Sequence, residues 1–148
     1  MKMGKNKVFK RSGSYFILIS KENKILLQQH DPGATDPFYW SLFGGGIEKS
    51  ETPRQAVIRE AKEELGIKLK DFKFFKRYEI LKENNWYELF IYTAPLSHTL
   101  EQLKNQQREG QGIGLFSYKD SKKLNISTIV KPIVEDIFKA IKNKKIKF

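Results

Sequence analysis

The sequence predicts an α/β fold in a single domain spanning residues 1–148. Short apolar runs bounded by turn residues alternate with two segments of helical periodicity, and no internal repeat, low-complexity segment or linker marks a second domain. Hydrophobic residues make up 39% of the 148 residues and aromatic residues 13%, which suffices for one substantial core. We therefore expect one unit built from alternating strands and helices.

Five apolar runs have the length and boundaries of β-strands. Runs 14–20 and 24–29 are joined by a short polar turn and predict a hairpin. Runs 72–81 and 86–93 flank a second polar turn and predict another hairpin. A further short strand is predicted at 114–118.

Two segments predict helices from their periodicity and end signals. Thr52, Pro53 and Gln55 have the form of a capping box with proline at the first helical position, so we expect a helix to begin there. Gly66 predicts its end, because glycine can take the left-handed conformation that ends many helices. Apolar residues at helical spacing predict a C-terminal helix from about residue 132 to residue 142, covering the sheet.

The first of these helices carries an acidic arc. At about 100° per residue, Glu60, Glu63 and Glu64 fall together beside an apolar stripe, so we expect the stripe to pack and the acids to point into a cleft. Glu60 and Glu64 repel each other as an i,i+4 pair, which favours a bound cation. Carboxylate oxygens suit Mg²⁺ or Mn²⁺, whereas zinc is disfavoured because the chain has no cysteine and only His30 and His98 offer nitrogen.

The pattern around the acidic arc is far more specific than the arc, since a bare cluster of glutamates is typical of a solvated helix face. Residues 45–67 read GGIEKSETPRQAVIREAKEELGI. This stretch resembles the Nudix box, G-x5-E-x7-R-E-U-x-E-E-x-G-U, with all seven fixed residues at their positions. The one departure is Ala61, at a packing position where the family prefers a larger aliphatic residue.

The resemblance implies a Nudix α/β/α sandwich, in which a mixed β-sheet lies between helices, over nearly the whole chain. It also implies an Mg²⁺-dependent hydrolase, with Mn²⁺ as a substitute, that cleaves a pyrophosphate bond in a nucleoside diphosphate-linked substrate. Outside the box, residues 108–116 are similar to the loop K-E-G-Q-x-G-x-W of MutT-type 8-oxo-dGTP pyrophosphohydrolases, and Glu109 stands at the glutamate of that loop.

The resemblance further implies a metal site of four carboxylates and one carbonyl. Glu60 and Glu64 would be the principal ligands, Glu63 would bind an additional ion or hold its water, and the backbone carbonyl of Gly44 would complete the set. Glu109 would add a carboxylate from across the cleft, as a ligand or as the general base. Glu60 is the other candidate for that base, and the sequence does not choose between them.

The resemblance also implies roles for the arginine and for the glycines of the box. Arg59 would pair with Glu51 or a helix glutamate, would not touch the substrate, and would fix the loop to the helix. Gly45 and Gly46 would bind substrate through their backbone, because glycine lets the main chain approach phosphate and metal closely.

The substrate is the least specified part of the resemblance. Phe38 and Trp40 are candidates for stacking on a base, although aromatic residues at this density are also typical of a core. Family markers of ADP-ribose, dinucleoside polyphosphate and coenzyme A substrates are absent, which favours a nucleoside triphosphate, unmodified or oxidised, split to the monophosphate and pyrophosphate. Two alternatives stay open: a pyrophosphohydrolase of RNA 5′ ends, and a non-catalytic Nudix-fold nucleotide-binding module.

Charge and composition limit which partners and which cellular location we predict. The formal net charge of +11 attracts polyanions such as nucleotides and RNA ends, but the lysines are dispersed apart from a cluster near the C-terminus. The absence of cysteine, together with an N-terminal apolar run too short to span a membrane, predicts a cytoplasmic protein without membrane contact. The absence of cysteine also argues against an isopentenyl diphosphate isomerase activity, because that enzyme shares the fold but normally needs a cysteine. A monomer and a homodimer are both open.

Overall fold

The computed structural model describes residues 7–29, 38–107 and 112–148. These residues contain seven strands and four helices, which we number in chain order. The strands are β1 (Phe9–Ile19), β2 (Ile25–Gln29), β3 (Trp40–Ser41), β4 (Phe43–Gly46), β5 (Lys73–Lys82), β6 (Asn85–Pro95) and β7 (Gly112–Phe116). The helices are α1 (Pro53–Leu65), α2 (Leu100–Gln106), α3 (Tyr118–Ser121) and α4 (Lys131–Lys142).

All seven strands belong to one mixed sheet. Its main order is β3-β2-β1-β6-β5, with β4 paired to β1 and β7 paired to β2. The central pair β1–β6 is parallel and runs in register from Phe9 opposite Trp86 to Ile19 opposite Pro95, with one irregularity near its start. Every other strand pair is antiparallel.

Alternate residues of β1 point to opposite faces of the sheet, and apolar residues occur on both, so helices cover both faces. Phe16 and Leu18 belong to one buried cluster, which includes residues of α1. Ile17 and Ile19 belong to a second buried cluster, which includes residues of α4. The predicted α/β/α sandwich with a mixed sheet is therefore confirmed.

Both ends of α1 follow the sequence prediction. Thr52 is the N-cap and forms a reciprocal capping box with Gln55, and Pro53 occupies the first turn. Gly66 ends the helix in the left-handed conformation with φ of 65°. Ala61 is fully buried, which confirms that its position is a packing position.

Both predicted hairpins and the C-terminal helix are present. The turn between β5 and β6 has two residues, Glu83 and Asn84, with φ of 52° and 65°, as a type I′ hairpin turn requires. Helix α4 begins one residue before the predicted start and ends at the predicted Lys142. Among the described helices, none has the length and apolar character needed to cross a membrane.

The predicted strand at 114–118 is wrong at its C-terminal end. Strand β7 lies two residues earlier, and Tyr118 begins helix α3 instead of ending a strand. The physical reason is the hydroxyl of Ser117, which accepts a hydrogen bond from the amide of Asp120 at 3.1 Å and caps the new helix. Helix α2 was not anticipated either, although Thr99 and Gln102 form a capping box at its start.

The left-handed end of α1 predicts a specific sensitivity at Gly66. We expect Gly66→Ala to lower the free energy of unfolding by about 1 kcal/mol, because a Cβ strains a residue at positive φ. Space is not the cause, since the nearest atom to that Cβ would be the Cβ of Gln106 at an ordinary 3.6 Å. Urea unfolding of both proteins measures the difference.

Gly112→Ala is the matched control, because its Cβ would meet no atom of the described residues within 4 Å and its φ is not positive. It is expected to change stability by less than about 0.5 kcal/mol. Equal losses in the two variants would contradict the backbone explanation.

Candidate active site

The glycine-rich segment before the helix forms strand β4 rather than a free loop. It pairs with β1, so that Gly44 lies opposite Tyr15 and Gly46 lies opposite Gly13. Gly44 has φ of 135°, and a Cβ there would lie 2.3 Å from the backbone oxygen of Ser14. Glycine is therefore required at this position on both conformational and steric grounds.

Helix α1 is attached to these strands at two points. The hydroxyl of Ser14 donates a hydrogen bond to the carbonyl oxygen of Pro53 at 2.7 Å, in the first turn of the helix. The backbone amide of Gly44 donates to Oε1 of Glu64 at 2.7 Å, near the last turn. Because the two contacts lie at opposite ends of α1, together they fix its position along β1 and β4.

The three helix glutamates occupy three different environments. Glu64 is buried, with 4% of its surface exposed, whereas the side chains of Glu60 and Glu63 are 13% and 50% exposed. A Cβ on Gly45 would lie 2.6 Å from Oε2 of Glu60, so this carboxylate lies directly against the bare backbone of β4. The acidic arc thus extends from the strand to open solvent.

Arg59 connects the helix, the preceding loop and β4. Its Nε and Nη2 donate to the two carboxylate oxygens of Glu51 at 2.7 and 3.0 Å. Its Nη1 donates to Glu60 at 2.9 Å and to Glu63 at 3.0 Å, and Nη2 also donates to the carbonyl oxygen of Gly46 at 3.0 Å. The family resemblance implies that Arg59 pairs with Glu51 or with a helix glutamate, and the structure contains both kinds of ion pair.

The pairing with Arg59 changes the acid–base behaviour of Glu51. Hydrogen bonds from Arg59, together with a weaker contribution from the backbone amide of Glu48, lower the pKa of the Glu51 carboxyl from 4.5 to about 2. The same contacts raise the pKa of the Arg59 guanidinium. Both groups are therefore charged throughout the range in which the protein would operate.

A small cavity lies on the face of β1 opposite α1. It has a volume of about 50 Å³ and is lined in part by Arg11, Tyr15 and Tyr87. Burial raises the pKa of Tyr15, Arg11 opposes that rise, and the charges of Glu60 and Glu64 add to it. The field of the acidic arc therefore reaches this cavity.

These cavity residues were not identified as candidates from the sequence. Arg11 and Tyr15 lie four residues apart and share a face of β1, but the strand was predicted to begin at residue 14. Extending the alternation back to Phe9 would have placed both on the same side.

The two aromatic candidates for substrate binding lie in different surroundings. Trp40 packs edge-on against Phe116, with ring centroids 4.9 Å apart, in the cluster on the α4 face. Phe38 is 53% exposed, and its carbonyl oxygen accepts a hydrogen bond from Gln29 at 2.9 Å. Trp40 is thus half-buried against the core, and stacking of either residue on a base stays a prediction.

The fit of a metal ion depends on the donors at the arc. Glu109 lies outside the described residues, and within them no group of three or more acidic or histidine side chains has metal-binding geometry. Glu60 and Glu63 are held by Arg59, and Glu64 by the amide of Gly44. The donors are hard oxygens, and the bare backbone at Gly45 leaves room for a carboxylate, so the chemistry suits Mg²⁺.

These features define an α/β/α sandwich protein in which an acid-rich helix is anchored by one arginine to a glycine strand. The sequence matches the NUDIX domain family over residues 10–137. The chain therefore belongs to the NUDIX family.

Individual relatives match parts of the chain in sequence, and solved structures match its fold. The chain is 42% identical over 50 residues to CTP pyrophosphohydrolase of Escherichia coli (strain K12), covering 34% of this chain and 37% of that protein. It is 36% identical over 63 residues to 8-oxo-dGTP diphosphatase of the same organism, covering 43% of this chain and 49% of that protein. The matched part thus spans less than half the length of either relative.

Among solved structures, the MutT protein of Methanosarcina mazei Go1 superposes with a TM-score of 0.74. The superposition covers 96% of this chain and 99% of that one, at 15% sequence identity. At this identity the likeness concerns the fold alone.

The lowered pKa of Glu51 predicts an acid-sensitive contribution to stability. The folded state holds this group ionised down to about pH 2, so the stabilisation is complete above about pH 4.5 and is lost as pH falls toward 2. Glu51→Gln should therefore be less stable than the wild type at pH 6, and the difference should shrink as pH falls toward 2. Thermal unfolding of both proteins without divalent metal measures it.

Glu22→Gln is the control, because Glu22 is exposed in the turn between β1 and β2. It should differ little from the wild type at either pH. A constant difference between wild type and Glu51→Gln across this range would show that the ion pair with Arg59 does not stabilise the fold.

Proposed function

We propose that this chain is an Mg²⁺-dependent hydrolase that splits a nucleoside triphosphate, unmodified or oxidised, into the monophosphate and pyrophosphate. The observation that carries the proposal is the anchored acidic helix: Arg59 holds Glu51, Glu60 and Glu63, while Glu64 receives the amide of Gly44. Membership of the NUDIX family and the names of the relatives support the same reaction class. Mn²⁺ is the expected substitute metal.

The proposed ligands are the three glutamates of the acidic arc, one backbone carbonyl and one further carboxylate. Glu60 and Glu64 would hold the metal, Glu63 would hold an additional ion or its water, and the carbonyl of Gly44 and the carboxylate of Glu109 would complete the set. When bound, Mg²⁺ supplies positive charge for the phosphate oxygens and for the leaving pyrophosphate.

The protein's own groups position the reactants and accept a proton. A water oxygen attacks one phosphorus, the bond from that phosphorus to the bridging oxygen breaks, and a carboxylate takes the water's proton. Glu60 and Glu109 both stay candidates for this base. Arg59 acts through Glu51 and Glu60 rather than on the substrate, and the bare backbone at Gly45 and Gly46 lets phosphate approach β4.

The choice of substrate rests on weaker support than the reaction. The relatives are named for CTP and for 8-oxo-dGTP, and both are nucleoside triphosphates. We propose that the base lies near the cavity beside Tyr15, on the face of β1 opposite α1. A cytoplasmic location and a monomeric or dimeric state stay predictions.

The RNA 5′ end is the second candidate substrate, favoured by the net charge of +11. A panel of nucleoside triphosphates, 8-oxo-dGTP, ADP-ribose and 5′-triphosphate RNA, assayed with Mg²⁺, separates the candidates by which product appears. Pyrophosphate from a free triphosphate supports the main proposal, and cleavage of RNA alone supports the second. Activity on none of them favours a non-catalytic binding module.

Replacing the proposed ligands tests the metal assignment. We expect Glu60→Gln and Glu64→Gln each to lower the Mg²⁺-dependent rate by about 10²- to 10⁴-fold, because an amide is a poorer ligand and no base. Glu22→Gln removes an exposed carboxylate distant from the arc and should keep the wild-type rate. Near-full turnover by either ligand variant, with an unchanged thermal midpoint, would contradict the assignment.

The glycine strand gives an independent prediction. In Gly45→Ala the new Cβ would lie 2.6 Å from the Glu60 carboxylate, which must move aside. Because that carboxylate ends a flexible side chain, we expect stability to change little while activity falls on the order of 10²-fold. Initial rates and thermal midpoints measure the two effects.

Gly46→Ala is the matched control for this displacement. Its Cβ would lie 3.3 Å from the guanidinium of Arg11, which can yield, and it faces away from Glu60. We expect a much smaller loss of rate. A loss equal to that of Gly45→Ala would argue that any side chain on β4 blocks the substrate, independently of Glu60.

A further inference from the structure

A basic groove lies between β5 and the C-terminal end of α4, away from the acidic arc. Its volume is about 670 Å³. The charged residues that line it, which we call the basic groove residues, are Lys73, Lys76, Lys139, Lys145, Lys147 and Asp136.

The chain after α4 folds back to bring lysines to this groove. Lys144 has φ of 56°, and the amide of Lys145 donates to the carbonyl oxygen of Ala140 at 2.9 Å, which reverses the chain. Nζ of Lys73 on β5 then donates to the carbonyl oxygen of Lys147 at 3.0 Å. The last lysines are thereby held beside those of β5 and α4.

The groove carries an excess of positive charge. Its single carboxylate, Asp136, accepts a hydrogen bond from the hydroxyl of Tyr78 at 2.7 Å and lies 3.6 Å from Nζ of Lys76. In the described part of the chain, no carboxylate forms an ion pair with Lys139, Lys145 or Lys147. Like charges gathered in this way repel one another, and a bound polyanion would relieve the repulsion.

The aromatic side chains of β5 do not offer the groove a free ring. Phe74 is 54% exposed, but its ring contacts Tyr92, with centroids 5.5 Å apart, and Tyr92 belongs to the buried cluster on the α1 face. Phe75 lines the groove and packs against the cluster on the α4 face. Recognition in the groove therefore rests on its lysines, and a positively charged groove of this kind follows the phosphate backbone of single-stranded nucleic acid.

The sheet register places this groove away from the proposed catalytic site. Lys73 pairs with Thr93, which pairs with Ile17, and Ile17 lies four residues along β1 from Gly13, the partner of Gly46. Four residues of strand correspond to about 13 Å. The groove also lies on the α4 side of the sheet, whereas the acidic arc belongs to α1.

We propose that the basic groove binds the phosphodiester backbone of single-stranded nucleic acid through its lysines. The site does not depend on the proposed hydrolase activity. The lysines contact phosphates, so that binding has little preference for sequence and weakens with salt.

The test measures binding where catalysis cannot contribute. Full-length protein is titrated into fluorescein-labelled oligo(U) of about twelve nucleotides with a 5′-hydroxyl end, in EDTA, and anisotropy is recorded across a series of KCl concentrations. Without a terminal phosphate or metal, the oligonucleotide offers nothing for the acidic arc. Oligo(dT) of the same length tests whether the backbone rather than the sugar is recognised.

The groove variant is Lys139→Ala/Lys145→Ala, and the control is Lys21→Ala/Lys68→Ala, which removes the same charge from exposed positions elsewhere. We expect the groove variant to bind about tenfold more weakly and its salt slope to fall by about 1.4, at about 0.7 for each lost phosphate contact. The control should keep the wild-type slope.

Asp136→Asn should tighten binding about threefold, because it removes the groove's own negative charge.

Four results would overturn the proposal. Equal weakening of the groove variant and the control would assign binding to the diffuse positive charge of the whole protein. Wild-type protein that fails to bind, or that prefers oligo(U) over oligo(dT) by more than about tenfold, would exclude backbone recognition. Displacement of the oligonucleotide by uridine 5′-monophosphate at equal affinity would assign the groove to free nucleotides. Circular dichroism and thermal midpoints establish that each variant is folded.

Discussion

The candidate site depends on the guanidinium of Arg59, because it holds together groups that would otherwise repel one another. Glu51, Glu60 and Glu63 belong to the loop and to two positions of α1, and one arginine donates to all three. It also donates a hydrogen bond to the carbonyl oxygen of Gly46 on β4. Charge-assisted hydrogen bonds in a fixed planar arrangement give both strength and direction, which lysine could not supply. One side chain therefore ties the loop, the helix and the strand to one another.

Strand β1 provides the second constraint, since it serves both faces of the sandwich. Ser14 points toward α1 and binds the carbonyl oxygen of Pro53, while its neighbour Tyr15 lines the cavity on the opposite side. The two halves of the proposed chemistry, phosphate cleavage and base binding, would thus be separated by the thickness of one strand. Strand β1 therefore fixes helix α1 and the cavity relative to each other without a direct contact between them.

Much of this architecture could be predicted because its signals are local. The capping box at Thr52, the left-handed glycine at Gly66 and the spacing of the glutamates are all encoded within a short segment. The pairing of Arg59 with Glu51 came from the family resemblance and has the same local character. Long-range features were harder: the glycines form β4 only because β1 lies beside them, and pairing between distant segments leaves no periodic trace.

The errors have similar causes. Tyr118 follows an apolar run and was assigned to a strand, but a capping serine one residue earlier begins a helix. Arg11 and Tyr15 were missed because the apolar pattern of β1 becomes polar toward its start, although the strand continues to Phe9. Trp40 shows what residue type alone does not predict. An aromatic residue just before the glycines of β4 is equally compatible with a ligand contact and with packing on Phe116.

The long register of β1 against β6 has a consequence for folding fidelity. Successive residues of a strand face opposite sides, so a slip of one position would exchange the surroundings of Ser14 and Tyr15. The hydroxyl would leave Pro53, the phenol would press against α1, and Gly44 would lose the neighbour that its unusual backbone accommodates. A misregistered molecule could keep its secondary structure and its sandwich outline while losing both faces of the site. Correct pairing of one parallel strand pair is thus as much a condition of function as the identity of any carboxylate.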